Sequence, residues 1–430
     1  MIRHLMPVAA LLLGSGLLMF AGGMNALILP VRGGAEGFSA LALGALGTGW
    51  ALGYVAGCLT MARLVGRVGH IRAFGVMAAM AAVAVLASLV FVHAWGWIVL
   101  RALSGFCFAG AAMIVESWLS ERADARSRGT IFGVYTMVNL LATTAGQLSL
   151  SLGDTTGFLF FVLPAMVYCV ALVPTAISAS PTPAPLVSVQ LDLGSLWRNS
   201  PVAVGAVFAV GISNGAFGTL APVYANAEGL SVADVTLFAS LPLLAGAAAQ
   251  LPLGLISDRI ERRALLVLLA LAALAATAVF VLVSPEPRMA KIGLGAAFGA
   301  AIFTMYPVIV AHANDHAKPG TSIQVAAGLL MVFGVGTIIG PTLGGAMMAR
   351  FGNAALFAVT GGAHVFIILF TLLRILRSAA VPDALKGDTP RVAVMGVSTP
   401  ETAALATGED PAQPIESVDF DVAVQRTGTP

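Results

Sequence analysis

Twelve apolar runs, separated by short polar gaps, follow one another at about 5–31, 38–62, 73–93, 96–119, 131–152, 157–178, 201–225, 233–256, 264–283, 292–312, 323–348 and 354–373. Each is close to or above the ~20 residues that a helix needs to cross about 30 Å of hydrocarbon. Only 10% of the residues are charged and 58% are hydrophobic, against roughly 25% and about 45–50% in a soluble chain. So few charges cannot wet a soluble surface. The expected class is an all-α membrane protein with twelve transmembrane helices. The 48 glycines and many alanines inside the runs suit helices that pack closely in lipid.

The first run follows the basic start "MIRH" but is longer than the apolar region of a cleaved leader, and eleven similar runs follow it. It reads as an uncleaved first span. Cys58, Cys107 and Cys169 lie far apart, in or beside apolar runs and without metal-ligand spacing, and read as unpaired core residues. A net charge of +2 with no basic block excludes nucleic acid as a partner.

Between the sixth and seventh runs lies "SASPTPAPLVSVQLDLGSLWRNSP", rich in Pro and Ser, which reads as a linker. The expected division is one six-helix half over 1–178, a cytoplasmic linker over 179–200, a second half over 201–374 and a tail over 375–430. The tail is rich in Pro, Thr, Ala, Asp and Glu without an amphipathic period, which predicts disorder. Lys and Arg favour cytoplasmic loops. With the N-terminus inside, those loops hold eleven, among them Arg63, Arg122, Arg126, Arg128, Arg198 and Lys318, against four outside, Arg32, Arg288, Lys291 and Arg350. Both termini therefore read as cytoplasmic.

The stretch "PVRGGAEGFSA" from Pro30 returns as "PVYANAEGLSV" from Pro222, with six identities in eleven positions. Pro30 is expected to end the first span, and Pro222 lies near the end of the seventh. Gly66-Arg67-Val68-Gly69 falls opposite Asp258-Arg259-Ile260-Glu261, and Gly146-Gln147 opposite Gly340-Pro341. A six-helix unit has been duplicated. An even number of spans per copy makes the halves parallel, related by an axis along the membrane normal.

Parallel halves, a cytoplasmic linker and basic loops after the second and eighth spans resemble the major facilitator superfamily of secondary transporters over about residues 5–375. The most specific stretch is "GLISDRIERR", residues 254–263, similar to that superfamily's G-x-x-x-D-R-x-G-R-R loop with Glu261 in place of the second Gly. In the first half "ARLVGRVGHIR" retains Arg67, Gly69 and Arg72, but Ala62 and Gly66 replace the leading Gly and the Asp. Arg101, Gly105 and Gly110 meet the fourth-span signature R-x-x-x-G-x-x-x-x-G, whereas the Gly-Pro motif of many antiporters is absent from the fifth span and appears as "GVGTIIGPTLGG" in the eleventh. The strings "VESWLSERADARSRGTIFGVYTMVN" and "FTMYPVIVAHAND" are similar to the YcaD-like branch, a bacterial inner-membrane group. That resemblance implies fold and class, and no substrate.

Arg101 sits about a turn and a half inside the outer end of the fourth span, where a charge costs at least ~2.5–3.5 kcal/mol. As the match to the superfamily's fourth-span arginine it is expected to contact substrate or tune a proton site; the alternative is a side chain snorkelling to the headgroups. Glu116, near the cytoplasmic end of the same span, is expected to latch an inner gate by pairing with the loop of Arg67 and Arg72, with proton or cation coupling as the alternative. Asp258, Arg259, Arg262 and Arg263 match the superfamily loop and are expected to gate or hinge. The resemblance implies a cavity lined by the first, fourth, seventh and tenth spans, which makes Asn25, Asn214 and Tyr306 candidate substrate contacts. Gln147 and Gln250 are weaker candidates, and Trp50 reads as packing. His312 and His316 flank Asp315 at helical spacing, but the segment reads as a helix end running into a loop, and no metal is expected.

No Ser-His-Asp set, HExxH or phosphate loop occurs, so neither an enzyme nor an ATP-driven machine is expected, and no cofactor is implied. The expected protein is a monomeric secondary transporter of a small amphipathic or hydrophobic solute, driven by ion-coupled efflux with protons as the candidate ion. The alternatives are a metabolite uptake permease and a membrane sensor or scaffold that no longer transports.

Overall fold

The computed structural model describes residues 8–122, 128–177, 191–318 and 321–377. The loop with Arg126, the linker before residue 191 and the expected tail beyond 377 lie outside the described residues. Among the described residues every regular element is helical: α1 Ala9–Ala35, α2 Ala40–Val68, α3 His70–Val90, α4 Ala94–Arg122, α5 Arg128–Leu148, α6 Leu159–Ile177, the short α7 Leu193–Asn199, α8 Pro201–Ala227, α9 Val232–Ser257, α10 Arg262–Leu282, α11 Arg288–Asn314, α12 Ser322–Phe351 and α13 Ala355–Ile375. Helices satisfy their own backbone groups, the condition hydrocarbon imposes on a spanning segment.

The duplicated phrase is a device for stopping one helix and starting the next. Pro30 and Pro222 do not end their helices, since α1 continues to Ala35 and α8 to Ala227; proline's fixed φ is compatible with a helix even though its hydrogen bond is lost. The stop comes at Gly37 and Gly229, with φ of 76° and 75°. That left-handed turn returns Phe38 N–H to the Gly33 carbonyl and Leu230 N–H to the Ala225 carbonyl, at 2.9 and 3.1 Å, which closes a Schellman-type end. The next residue is the N-cap: Ser39 accepts from Ala42 N–H and Ser231 from Asp234 N–H, each at 3.2 Å.

Eleven of the twelve long helices are long and apolar enough to cross a membrane by length and composition. The remaining one is α5, which carries Tyr135, Thr136, Asn139, Thr143 and Gln147. The stretch expected as a plain linker ends in α7, capped by Asp192, whose carboxylate accepts from Ser195 N–H at 2.8 Å. Leu193 and Leu196 of α7 lie against Gly328 of α12.

The two halves repeat one packing scheme. In the first, α1 packs on α5 and α6, α2 on α4, and α3 on α4 and α6; in the second, α8 packs on α12 and α13, α9 on α11, and α10 on α11 and α13. Gly105 of the fourth-span signature stands where α4 crosses α2, and a Cβ there would collide with the Trp50 carbonyl. Leu13, Val83, Val99, Leu141, Val170, Leu268 and Leu369 remain exposed on the outside of the bundle, as an apolar solvent allows.

Candidate functional site

Between the halves lies a cavity of ≈ 450 Å³, within the size range of pockets for small organic molecules. Its first-half walls come from α1, α2, α4, α5 and α6, and its second-half walls chiefly from α8 and α12, with Leu243 of α9 and Phe303 of α11. Its lining is mainly apolar, and the aromatic rings of Trp50, Tyr54, Phe108, Tyr168, Phe303 and Phe333 are part of it.

The halves meet at the end that carries the α1–α2 and α8–α9 turns. There Thr48 Oγ1 of α2 lies 2.6 Å from the Ile338 carbonyl and 2.7 Å from Thr342 Oγ1 of α12. A Cβ on Gly44 would strike the Pro341 carbonyl, and one on Gly345 the Ala40 carbonyl. Ser240 Oγ of α9 donates to Gln147 Oε1 of α5 at 2.8 Å. Toward the other end, Leu59 and Ala62 of α2 and Ala327 and Leu330 of α12 line the cavity, together with Leu191 before α7. Leu59 is 54% exposed and Leu191 40%. The cavity is therefore closed at the α1–α2 end and open at the α2–α3 end.

Arg101 lines the closed part of the cavity instead of reaching for headgroups. Its Cζ lies 5.9 Å from the Trp50 ring centroid, and Tyr168 lines the same cavity. Among the described residues it joins no ion pair. Trp50, expected only to pack, is thus the platform on which this cation rests.

Glu116 is the acid that lines the cavity among the described residues. It lies toward the open end, roughly 22 Å along α4 from Arg101 at about 1.5 Å per residue. Tyr135 Oη donates to Glu116 Oε1 at 2.9 Å, Asn139 and Ser15 crowd the same hydroxyl, and Ser15 Oγ donates to Asn139 Oδ1 at 2.8 Å. The expected pairing with Arg67 or Arg72 is not formed. Both arginines are exposed, and neither is in an ion pair among the described residues. The reason is direction: Glu116 turns inward to α5, whereas Arg67 in the last turn of α2 and Arg72 in the first turn of α3 face outward and are exposed.

Asn25 and Asn214 reach the cavity wall from α1 and α8, one in each half, and the Oδ1 of each is buried without a hydrogen-bond partner among the described residues. Tyr306 does not reach the cavity. It is 5% exposed, and its ring packs edge-on against Phe333, 5.2 Å between centroids, so Phe333 of α12 takes the place at the wall. Gln147 lines the cavity, whereas Gln250 is turned to the Phe303 carbonyl at 3.3 Å. Sequence reasoning missed Tyr168, Tyr135, Asn139 and Thr143. A signal for most of them existed: Tyr135, Asn139, Thr143 and Gln147 recur every fourth residue, the spacing of one helix face.

In the α9–α10 turn Arg262 is buried. Its Nε donates to Asp315 Oδ2 at 2.7 Å and its Nη1 to Ser257 Oγ at 3.2 Å, with Asp258 Oδ1 3.6 Å away. This ties the start of α10 to the end of α11. Arg263 pairs with Glu261 at 2.5 Å, and Arg259 is exposed. Asp315 is therefore held by Arg262 rather than by its histidine neighbours, and His316 Nδ1 turns to the His312 carbonyl at 2.8 Å.

Comparison with known proteins agrees with this architecture. A family model described as Major Facilitator Superfamily matches residues 11–321 and 206–408. An uncharacterized MFS-type transporter of Yersinia pestis (strain Pestoides F) is 28% identical over 381 residues, covering 85% of this chain and 95% of that protein. The uncharacterized MFS-type transporter YcaD of Escherichia fergusonii is 26% identical over 384 residues, covering 88% and 98%. Among solved structures, the nucleoside transporter NupG matches with a TM-score of 0.71 at 12% identity, covering 86% of this chain and 98% of that one. A bacterial homologue of the human lysosomal transporter Spinster, in an inward-facing and occupied conformation, matches with a TM-score of 0.70 at 15% identity, covering 88% and 97%. At these identities the structures establish a shared fold. Two parallel six-helix halves around a central cavity, together with a family match over most of the sequence, make this chain a member of the Major Facilitator Superfamily, a family of transporters and not of enzymes.

Proposed function

We propose that this protein moves a small amphipathic organic solute across a bacterial inner membrane by alternating access, with both termini cytoplasmic and the cavity here open to the cytoplasm. The observation that carries this reading is the one-sided cavity: contacts between the halves gather at the α1–α2 end, while α2 and α12 part around Leu59 and Leu330 at the other. Such a bundle transports by rocking one half against the other about a fixed site. Asn25, Arg101 and Asn214 are the proposed contacts to solute, with Tyr306 acting behind Phe333. The gate is assigned to the turns that must approach when the mouth closes. Arg67 and Arg72 stand exposed on either side of one, and the Asp258, Arg262 and Asp315 cluster braces the other.

Spin labels on two cysteine pairs test the cycle, Thr48 with Thr342 at the closed end and Ala62 with Ala327 at the open end. The two distances should change in opposite senses when ligand or lipid conditions change. A ligand found by thermal shift should also exchange by counterflow in proteoliposomes. Distances that rise and fall together, or ligands that bind without exchange, would remove the reading.

A further inference from the structure

We propose that the solute recognised in this cavity is an organic monoanion with an aromatic or flat apolar body, its acid group held by Arg101 and its body lying along Trp50, Tyr168 and Phe108. This deepens the transporter reading and rests on the same cavity.

The first ground is an uncompensated charge. Arg101 is partly buried in an apolar wall, pairs with no carboxylate among the described residues, and has the ring of Trp50 beside it, with Tyr168 also lining the cavity. A ring face offsets only part of a cation's desolvation, less than the cost of placing a charge inside a span. A guanidinium is also the side chain whose planar fork matches a carboxylate or other oxyanion through two parallel N–H···O bonds.

The second ground is how charge is distributed along the cavity. Glu116 lies toward the open mouth, far down α4, and is already bonded to Tyr135. A solute that enters past it meets no other acid among the described lining residues, and the closed part carries a lone positive charge. A cationic solute would be repelled at that point, and a polyanion would leave its second charge against aromatic walls. The third ground is shape. Trp50 and Tyr54 stack at 5.0 Å, and Phe108 tilts against Trp50 at 5.9 Å, which gathers aromatic surface beside the guanidinium for an apolar body to pack on.

The test uses the full-length protein in nanodiscs with a matched probe set: 1-naphthoate, its neutral amide 1-naphthamide, and the cation 1-naphthylmethylamine. Two readouts report binding, the thermal unfolding midpoint and the rate at which a small maleimide alkylates Cys58, which lines the same cavity. Naphthoate should raise the midpoint and slow Cys58 alkylation, with an affinity at least tenfold above that of the amide and with no effect of the amine. Arg101→Gln should bring the ratio of naphthoate to naphthamide affinity down to about one, while the ligand-free midpoint stays at or above that of the wild type, because an unpaired charge has been removed. Arg101→Lys, which keeps the charge without the fork, should retain a reduced preference and gives the same comparison if the Gln variant does not fold. The proposal is overturned if the amide or the amine protects as well as the acid, if naphthoate gives no protection, or if Arg101→Gln keeps the preference. Counterflow of labelled naphthoate separates the two readings. Binding without exchange upholds the anion site and sinks transport, and exchange of the amine in place of the acid does the reverse.

Discussion

Ser240 on α9 and Gln147 on α5 are joined by a hydrogen bond of 2.8 Å that crosses from one half of the bundle to the other, with both side chains buried. Opening the closed end requires that this bond break. A bond of this kind stabilises by about 1 kcal/mol net, or roughly fivefold in an equilibrium constant. Ser240→Ala should shift the population away from the state described here. Alkylation of Cys58, with Cys107 and Cys169 replaced by Ser, should slow, by at most about fivefold, as the open mouth becomes less populated; an unchanged rate would show that the bond does not bias the cycle.

The buried pair Arg262 and Asp315 ties α10 to α11, with side chains 1% and 3% exposed. Removing one partner of such a pair leaves a charge without its counter-ion, at a cost on the order of 3 kcal/mol. Asp258 at 3.6 Å retains part of the attraction. Asp315→Asn should lower the unfolding midpoint by several degrees, and Asp315→Glu by less. Equal midpoints for wild type and Asp315→Asn would assign the stability of this turn elsewhere.

Glu116 joins Tyr135 inside the cavity rather than Arg67 or Arg72 at its rim. A buried acid reached from one side at a time is suited to carry a coupling proton, whereas a rim latch is not. Glu116→Gln should preserve counterflow and abolish accumulation driven by a pH gradient. Retained accumulation in the variant would return the residue to the gate.

Glu228, just past α8, holds Lys291 at 2.7 Å and Asn353 at 3.2 Å. Burial raises its pKa, but the bonds from Lys291 and Asn353 and the charge of Lys291 outweigh that and leave it below the usual carboxylate value. A carboxylate with a depressed folded-state pKa contributes stability that is present above its unfolded pKa, near ~4.3, and is lost as pH falls through the folded value. At neutral pH, Glu228→Gln should therefore melt below the wild type. The gap should narrow as pH drops below about 4. A gap independent of pH would mean that packing, and not ionisation, accounts for it.

Orientation is tested by cysteines at exposed positions near opposite ends of the bundle, in a background lacking the native thiols. Gly66→Cys should react with an impermeant maleimide only after the cytoplasmic side is exposed, and Gly153→Cys on intact cells. Labelling of Gly66→Cys from outside would invert the topology.

The sequence alone determined the number of long helices and their duplication into parallel halves, because run length and repeated spacing are local; it marked the repeated corner but assigned the stop to Pro30, whereas the left-handed glycines Gly37 and Gly229 and the capping serines make it. It also singled out Arg101, since a charge inside an apolar run is conspicuous wherever the run lies. What it did not determine is the rotation of each helix about its own axis. In water an apolar stripe tells which face is inside, but a helix with lipid on one side and protein on the other is apolar all round. Tyr306 could therefore be assigned to the cavity when packing turns it against Phe333, and Trp50 to packing when it lies under Arg101. The polar face of α5 was the exception, readable every fourth residue from Tyr135 to Gln147 because polar groups there have only the cavity to face. Which state the bundle occupies, closed across Thr48 and Thr342 and open beside Leu59, is decided only by contacts between residues hundreds of positions apart, and no local pattern encodes them.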